Sequence, residues 1–353
     1  MNKKLNKLII ILASSLLGII LIIFFSYKIS LGPVGGDTVT FTVNSGESVS
    51  IVISNLKEQN LIKSKLSAKI YAKLHHLTSQ SGTYKINPKK STPVILKKIN
   101  DGDTYNDAVS VTFIEGKRLT DYAKTISQNF PYSEDEVMKV LDDKTYVNEL
   151  INKYSFLDTV ILDEKIYHPL EGYLFPDTYS FYKTATIKDI VETMLDNTER
   201  KLNDLDEQIK SNSFSIHEIM TLASIVELEG AGTNDRAGIA GVFMNRLNSG
   251  IALGSDVTTY YSVNKDFTSD LRVSELNSCN GYNTRNTSCV SGLPVGPIAS
   301  PGLDAIKAAI SPATNDYLYF VADKNGNIYY SKTDAEHVAT VDRLKREGLW
   351  YNY

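Results

Sequence analysis

The sequence predicts an α+β protein hung on a single N-terminal transmembrane helix, with a small α+β module followed by a larger α+β domain. Three observations carry this. Leu8–Tyr27 is a run of 20 residues without a charge, dominated by Ile, Leu and Phe. The remaining chain mixes short alternating runs with longer stretches of helical period. At 353 residues the chain is long enough for two or three domains.

Taken in order, the uncharged run would reach about 30 Å as a helix, the thickness of a bilayer core. The run ends in Phe24, Phe25, Ser26 and Tyr27, followed by Lys28, where a cleaved signal peptide would carry a small-x-small site, so an uncleaved anchor is expected over residues 1–28. Lys3, Lys4 and Lys7 precede the run and only Lys28 follows. That bias predicts a single-pass cell-membrane protein with a cytoplasmic N-terminus and an extracytoplasmic body. Residues 29–37, with SLGPVGGD at 30–37, read as a flexible linker.

A first module is expected over residues 38–105. Val39–Val43 alternates as a strand, Ser48–Leu56 and Leu66–Leu77 have helical period, Tyr84 and Ile86 mark a short strand, and Pro93–Ile99 a further helix. The larger domain is expected over 106–353. Val109–Phe113 reads as a strand, and Leu119–Gln128, Glu134–Leu141 and Lys144–Lys153 as helices. A long polar helix is expected near Ile187–Lys210, then helices from Ile216 to about Leu228 and from Asp235 to Asn248. Tyr317–Ser331 reads as a hairpin about Asn325-Gly326, and Thr333-x-x-Glu336 as the capping box of a last helix. The segments at 170–179, 253–261 and 281–301 read as loops.

Composition excludes several functions. The four basic residues at the anchor set aside, 33 Lys and Arg face 41 Asp and Glu, a poor balance for a phosphate backbone, so no nucleic-acid partner is expected. H-E-x-x-H, G-x-S-x-G, the phosphate loop and G-x-G-x-x-G are all absent from the sequence. Two cysteines cannot make a four-cysteine zinc site, and no metal or cofactor is expected. Cys279 and Cys289, both on the expected outer side, are a disulfide candidate bracketing residues 282–284; two reduced buried thiols remain the alternative.

The informative segment is SIHEIMTLASIVELEG at 215–230. Ser215 and Glu218 form a capping box that sets the helix start. On a 100° wheel Ile216, Met220, Ala223 and Glu227 share one stripe, while Glu218 and Glu229 lie within about 20° of each other elsewhere. A carboxyl surrounded by apolar groups holds its proton toward neutral pH and can act as a general acid. A glutamate reaching solvent from the helix end is the other reading of Glu227. Glu171 and Asp177 sit among aromatics in LEGYLFPDTY, Asp256 among hydroxyls in LGSDVTTYY, and residues 281–301 form a long Gly/Pro/Asn-rich loop. Such groups suit sugar hydroxyls, but they are also ordinary turn chemistry.

These segments resemble the YceG-like (MltG-like) endolytic murein transglycosylases. The likeness is carried by LEGYLFPDTY (170–179), LASIVELE (222–229), GVFMNRL (241–247), LGSDVTTYY (253–261), YNT (282–284), GLPVGPIASPG (292–302) and YLYFVAD (317–323). The sequence departs from the pattern at Val295, where a second proline is expected, and at Arg285, where an aromatic often follows YNT. The resemblance implies a membrane anchor, a LysM-like module and a YceG-like catalytic domain. It implies a lyase that cuts the β-1,4 bond from N-acetylmuramic acid to N-acetylglucosamine in nascent peptidoglycan, leaves 1,6-anhydro ends and so terminates strand elongation. It places Glu227 at the catalytic position and makes Glu171, Asp177, Glu229, Asp256, Tyr282, Asn283 and Thr284 candidates for holding glycan or orienting Glu227. Peptidoglycan strands and the membrane are the implied partners, and penicillin-binding synthases a partner class the resemblance admits. A non-catalytic glycan-binding scaffold, and a hydrolase using Glu227, Asp256 and water, are the competing readings.

Overall fold

The computed structural model describes residues 3–105, 108–230, 235–267 and 269–350. Residue 106, the expected start of the larger domain, and the first two residues of the tail lie outside the described residues. The chain divides into two compact units, 1–107 and 108–353.

The first unit begins with helix α1 (Lys3–Ser30), within which Lys7–Ser30 is long and apolar enough to cross a membrane. Its large apolar side chains from Leu8 to Phe25 are exposed, an arrangement that water disfavours and a bilayer satisfies. Residues 32–38 form neither helix nor strand, yet they are tethered rather than free as the sequence led us to expect. Leu31 is buried, and the Val34 and Gly35 N–H groups both donate to the Pro88 carbonyl at 3.0 Å. Strand β1 (Val39–Val43) pairs antiparallel with β2 (Gly82–Ile86), Val39 opposite Ile86 and Val43 opposite Gly82. Helices α2 (Val49–Glu58), α3 (Lys65–Leu74) and α4 (Thr92–Asn100) complete the module. Its core follows the two periods: Phe41, Val43, Tyr84 and Ile86 from alternate strand positions, Val52, Ile53, Leu56, Ile95 and Ile99 from helix stripes.

In the second unit β3 (Ala108–Thr112) pairs antiparallel with β4 (Thr178–Tyr182), Ala108 opposite Tyr182 and Thr112 opposite Thr178. β4 falls where the sequence reading ended a loop; Tyr179 and Phe181 alternate inward against exposed neighbours, a strand signal of only five residues. Between these strands lie α5 (Leu119–Asn129), α6 (Glu134–Leu141) and α7 (Lys144–Lys153). The long helix expected near 187–210 divides into α8 (Ile187–Asn203) and α9 (Asp206–Ser211). The break is at Leu205, whose side chain turns into the core while its N–H closes a tight turn on the Leu202 carbonyl.

Helix α10 (Ile216–Glu229) is the axis of this unit. Every residue from Ile219 to Glu227 is buried, so the helix is enclosed on all sides rather than along the single stripe the wheel implies. It packs on α11 (Arg236–Asn248), on α12 (Asp256–Ser262) and, past the short α13 (Val273–Leu276), on α14 (Leu303–Ile310). α12 corrects the reading of 253–261 as a loop. Its threonines are poor helix formers, but Thr258 and Thr259 are buried and hydrogen-bonded to Thr284 and Asn283, and packing outweighs propensity. The chain ends in the hairpin β5 (Tyr319–Ala322) and β6 (Ile328–Ser331), followed by α15 (Asp334–Arg346) behind its Thr333–Glu336 capping box.

Candidate active site

The site is built at the C-terminal end of α10. The capping box fixes where that helix begins: Glu218 N–H donates to Ser215 Oγ at 3.3 Å, and Ser215 N–H donates to Glu218 Oε2 at 2.8 Å. Three turns on, Glu227 is 5% exposed. Its Oε1 accepts from Arg236 Nη2 at 2.8 Å and its Oε2 from the Gly302 N–H at 3.1 Å. The expected wholly apolar surroundings are therefore corrected. Burial is present, but α11 brings a guanidinium to one oxygen and the start of α14 a backbone donor to the other. Gly302 is the N-cap residue of α14, so the carboxylate also sits at the positive end of that helix.

The loop between β3 and α5 closes the other side. Gly116 N–H donates to the Ser300 carbonyl at 2.8 Å, and Ser300 N–H to the Lys117 carbonyl at 2.9 Å, clamping the loop to the segment before α14. Gly116 has φ +69°, a backbone conformation that favours glycine, and it lies beside Glu227, whose Cγ would be at ordinary contact distance, 3.6 Å, from a Cβ there. Glu115, just before it, is exposed and packs its carboxylate against the Cα of Gly302. Desolvation pushes its pKa up, as do the charges of Glu227 and Asp304, against the pull of Arg236. Arg236, the partner of Glu227, lines an open cleft of about 390 Å³ together with Asp304, Lys307 and Ser311 among others.

The other sequence candidates fall into separate clusters. Glu229 accepts from Ser255 Oγ at 2.6 Å. Burial pushes its pKa up, opposed by that hydroxyl and by Arg246 and Arg285, while Asp256 adds to the rise. Asp256 is exposed at the first turn of α12 and pairs with Arg285 Nη1 at 2.5 Å. Tyr282, Asn283 and Thr284 are all buried, with exposures of 0%, 0% and 1%. Tyr282 OH accepts from Tyr167 N–H, Asn283 Nδ2 donates to the Leu276 and Ser278 carbonyls, and Thr284 Oγ1 accepts from Ser255 N–H. These three side chains brace α12 against the loop that follows α13. Cys279 and Cys289 are joined by a disulfide, Cα to Cα 5.5 Å, around the same loop.

Glu171 lies at 1% exposure, with Oε1 accepting from the Leu119 N–H at 2.9 Å and Oε2 from Tyr261 OH at 3.1 Å. It caps the start of α5 from within the protein. Asp177 is exposed at the foot of β4, where Oδ2 accepts from Asn197 Nδ2 at 3.1 Å. The structure thus gathers Glu227 with Arg236, Gly302 and Glu115. Of the named candidates only Glu227 belongs to that group.

Residues 41–343 match the family model described as YceG-like. The chain belongs to the YceG-like family. It is 38% identical over 323 residues to the endolytic murein transglycosylase of Bacillus subtilis (strain 168), covering 89% of this chain and 88% of that protein. It is 32% identical over 338 residues to the endolytic murein transglycosylase of Streptococcus pneumoniae serotype 2, covering 89% of this chain but 61% of that longer protein. A crystal structure of a YceG-like protein from Listeria monocytogenes matches with a TM-score of 0.63 at 31% identity, over 86% of this chain and 99% of that one.

Two residues of this YceG-like site escape a reading of the sequence alone. Arg236 lies on the next helix, nine positions beyond Glu227, outside any periodicity of α10. Glu115 comes from a loop more than a hundred residues upstream; its one local signal is the Glu-Gly pair at the end of a strand pattern, where a glycine turn precedes a helix. Among the described residues no group of three or more His, Cys, Asp or Glu is arranged as a metal-ligand set.

Proposed function

We propose that Glu227 is the catalytic carboxyl of a peptidoglycan lytic transglycosylase reaction. The enzyme class is that of the relatives: this chain is a lyase acting on peptidoglycan. The finer reading is endolytic cleavage of the β-1,4 bond between N-acetylmuramic acid and N-acetylglucosamine. The muramic C6 hydroxyl attacks its own C1, the C1–O4 bond breaks, and the new end is a 1,6-anhydro sugar. A hydrolase needs a second carboxylate to activate water or to act as nucleophile. Here the nucleophile is already part of the substrate, and two proton movements remain: one off the C6 oxygen and one onto the leaving O4.

The observation that carries this reading is the fixing of Glu227. Both oxygens are held, by Arg236 and by the Gly302 N–H, at the end of an enclosed helix, and Arg236 also lines an open cleft. A carboxyl oriented this firmly is preorganised for proton transfer, which needs hydrogen-bond reach before anything else. Glu229 and Asp256 lie toward the far side of the helix end, where they are suited to shaping the Ser255–Arg285 edge.

The anchor reading places the N-terminus in the cytoplasm and the second unit outside, because lysines cluster before α1. The 38–105 segment acts as a LysM-like glycan- or partner-contacting module, and 106–353 as the catalytic domain. In that location the cut would end elongation of nascent strands, next to the synthases that make them.

The test is the chemistry of the product. Full-length protein in detergent is incubated with uncrosslinked glycan strands and the new ends are weighed. Anhydro ends, lighter than reducing ends by one water, with the yield lost in Glu227→Gln, support the reading. Reducing ends would indicate a hydrolase, and binding without new ends a scaffold.

A further inference from the structure

Two carboxyl side chains meet at Gly302, Glu227 largely buried and Glu115 exposed. Glu227 takes the Gly302 N–H on Oε2, is 5% exposed, and has Oε1 engaged with Arg236. Glu115 reaches the same glycine from the β3–α5 loop and lies so close that a Cβ on Gly302 would collide with its carboxylate. Its backbone is held there by the paired hydrogen bonds between Gly116, Lys117 and Ser300. The charged groups acting on Glu115 come from each helix packed around it: Glu227 from α10, Arg236 from α11 and Asp304 from α14. Two of those three are acidic, and they act with desolvation to favour a protonated Glu115.

We propose that Glu115 is a second catalytic carboxyl, which delivers its proton to the leaving glycosidic oxygen while Glu227, held by Arg236, receives the proton of the attacking hydroxyl. The inference rests on the lytic reading above and divides its two proton movements between two groups. The balance closes without water or any co-reactant. The O6–H proton goes to Glu227 as the C1–O6 bond forms, and the Glu115 proton goes to O4 as the C1–O4 bond breaks. Glu115 is then ionised and Glu227 protonated, and one proton passing between the two neighbours, directly or through solvent at the exposed Glu115, restores the starting state. Glycine at 302 is part of the arrangement, since any larger residue would take the space of the Glu115 carboxylate.

The test uses full-length protein in detergent, glycan strands, and the yield of 1,6-anhydro ends. Glu115→Gln and Glu115→Ala should each lose at least ~100-fold, the lower end of what general acid–base catalysis contributes. Their melting temperatures should stay at the wild-type value, because Glu115 is exposed. The alkaline fall in the wild-type pH profile should disappear in Glu115→Gln. Gly302→Ala keeps both carboxyls, and its φ of −76° accommodates alanine, but the methyl displaces Glu115 and the yield should fall with it. Near-normal yield in Glu115→Gln, or an alkaline fall that persists in it, would overturn the inference. A wild-type protein that makes no anhydro ends fails at the earlier step, and identifies the lytic reading as the error.

Discussion

Glu171 should make stability fall as pH rises through neutrality, and replacing it should remove that slope. Burial pushes its carboxyl up to about 7, against the pull of His168, the Leu119 N–H, the Tyr261 hydroxyl and Arg118; an ordinary glutamate titrates near 4.5. The folded chain therefore holds a proton that the unfolded chain gives up. The sign follows: the stabilisation is fully present below the unfolded value and is lost as pH rises through about 7. Over that window the loss amounts to about 3 kcal/mol. In a unit of this size it corresponds to a fall in melting temperature of roughly 6–12 °C. Glu171→Gln keeps the shape and an oxygen for the Leu119 N–H but cannot ionise. Melting curves of both proteins at pH 5 and pH 8, by circular dichroism in detergent, should show the variant gaining on wild type as pH rises. His168 is common to both, and its titration is largely removed by taking the difference. A difference that is flat, or that grows toward acid, would refute the reasoning. Because Glu171 is enclosed and braces α5, Glu171→Gln should also retain most of the lyase yield, which a glycan-holding carboxylate would not.

Three further outcomes are expected. Glu227→Gln should cost about 1–3 kcal/mol of stability, because Arg236 loses its carboxylate in a pair whose side chains are only 22% and 6% exposed; the double variant with Arg236→Met should recover part of that loss, and a Glu227→Gln protein as stable as wild type would show the pair to be idle. Reducing the Cys279–Cys289 disulfide, or replacing both residues by Ser, should lower stability by about 3 kcal/mol in the chain-entropy estimate for so short a loop; alkylation of the native, unreduced protein that shifts its mass would contradict the bond. Protease added to intact spheroplasts should digest the chain beyond Lys28 and leave a small membrane fragment, whereas full protection would place the body in the cytoplasm.

Local signals account for what the sequence makes legible. The α1 run, the alternation of β1, the Asn325-Gly326 turn and the capping boxes before α10 and α15 all appear in the structure where their residues place them. Elements whose reasons lie elsewhere in the chain are harder to read. α12 exists because Thr258 and Thr259 find partners in residues 283 and 284, and α14 follows a Gly/Pro-rich run that reads only as loop. The same division holds at the site. Glu227 stands out because a carboxylate interrupts an apolar stripe and sits in a recognisable motif. The Arg236 ion pair, the Gly302 cap and the Glu115 approach are products of packing between α10, α11, α14 and a distant loop. Tyr282, Asn283 and Thr284 show the converse: residue types that suit sugars are here consumed in holding the fold.

The most direct measurement is the mass of the ends released from purified glycan strands by full-length wild-type protein and by Glu227→Gln, with folding of both verified by circular dichroism. Wild type should yield 1,6-anhydromuramic ends, each lighter by one water than a hydrolytic end, and the folded variant should lose ~10²–10⁴-fold in rate. Reducing ends from wild type, or near-normal anhydro yield from a folded Glu227→Gln, would contradict it.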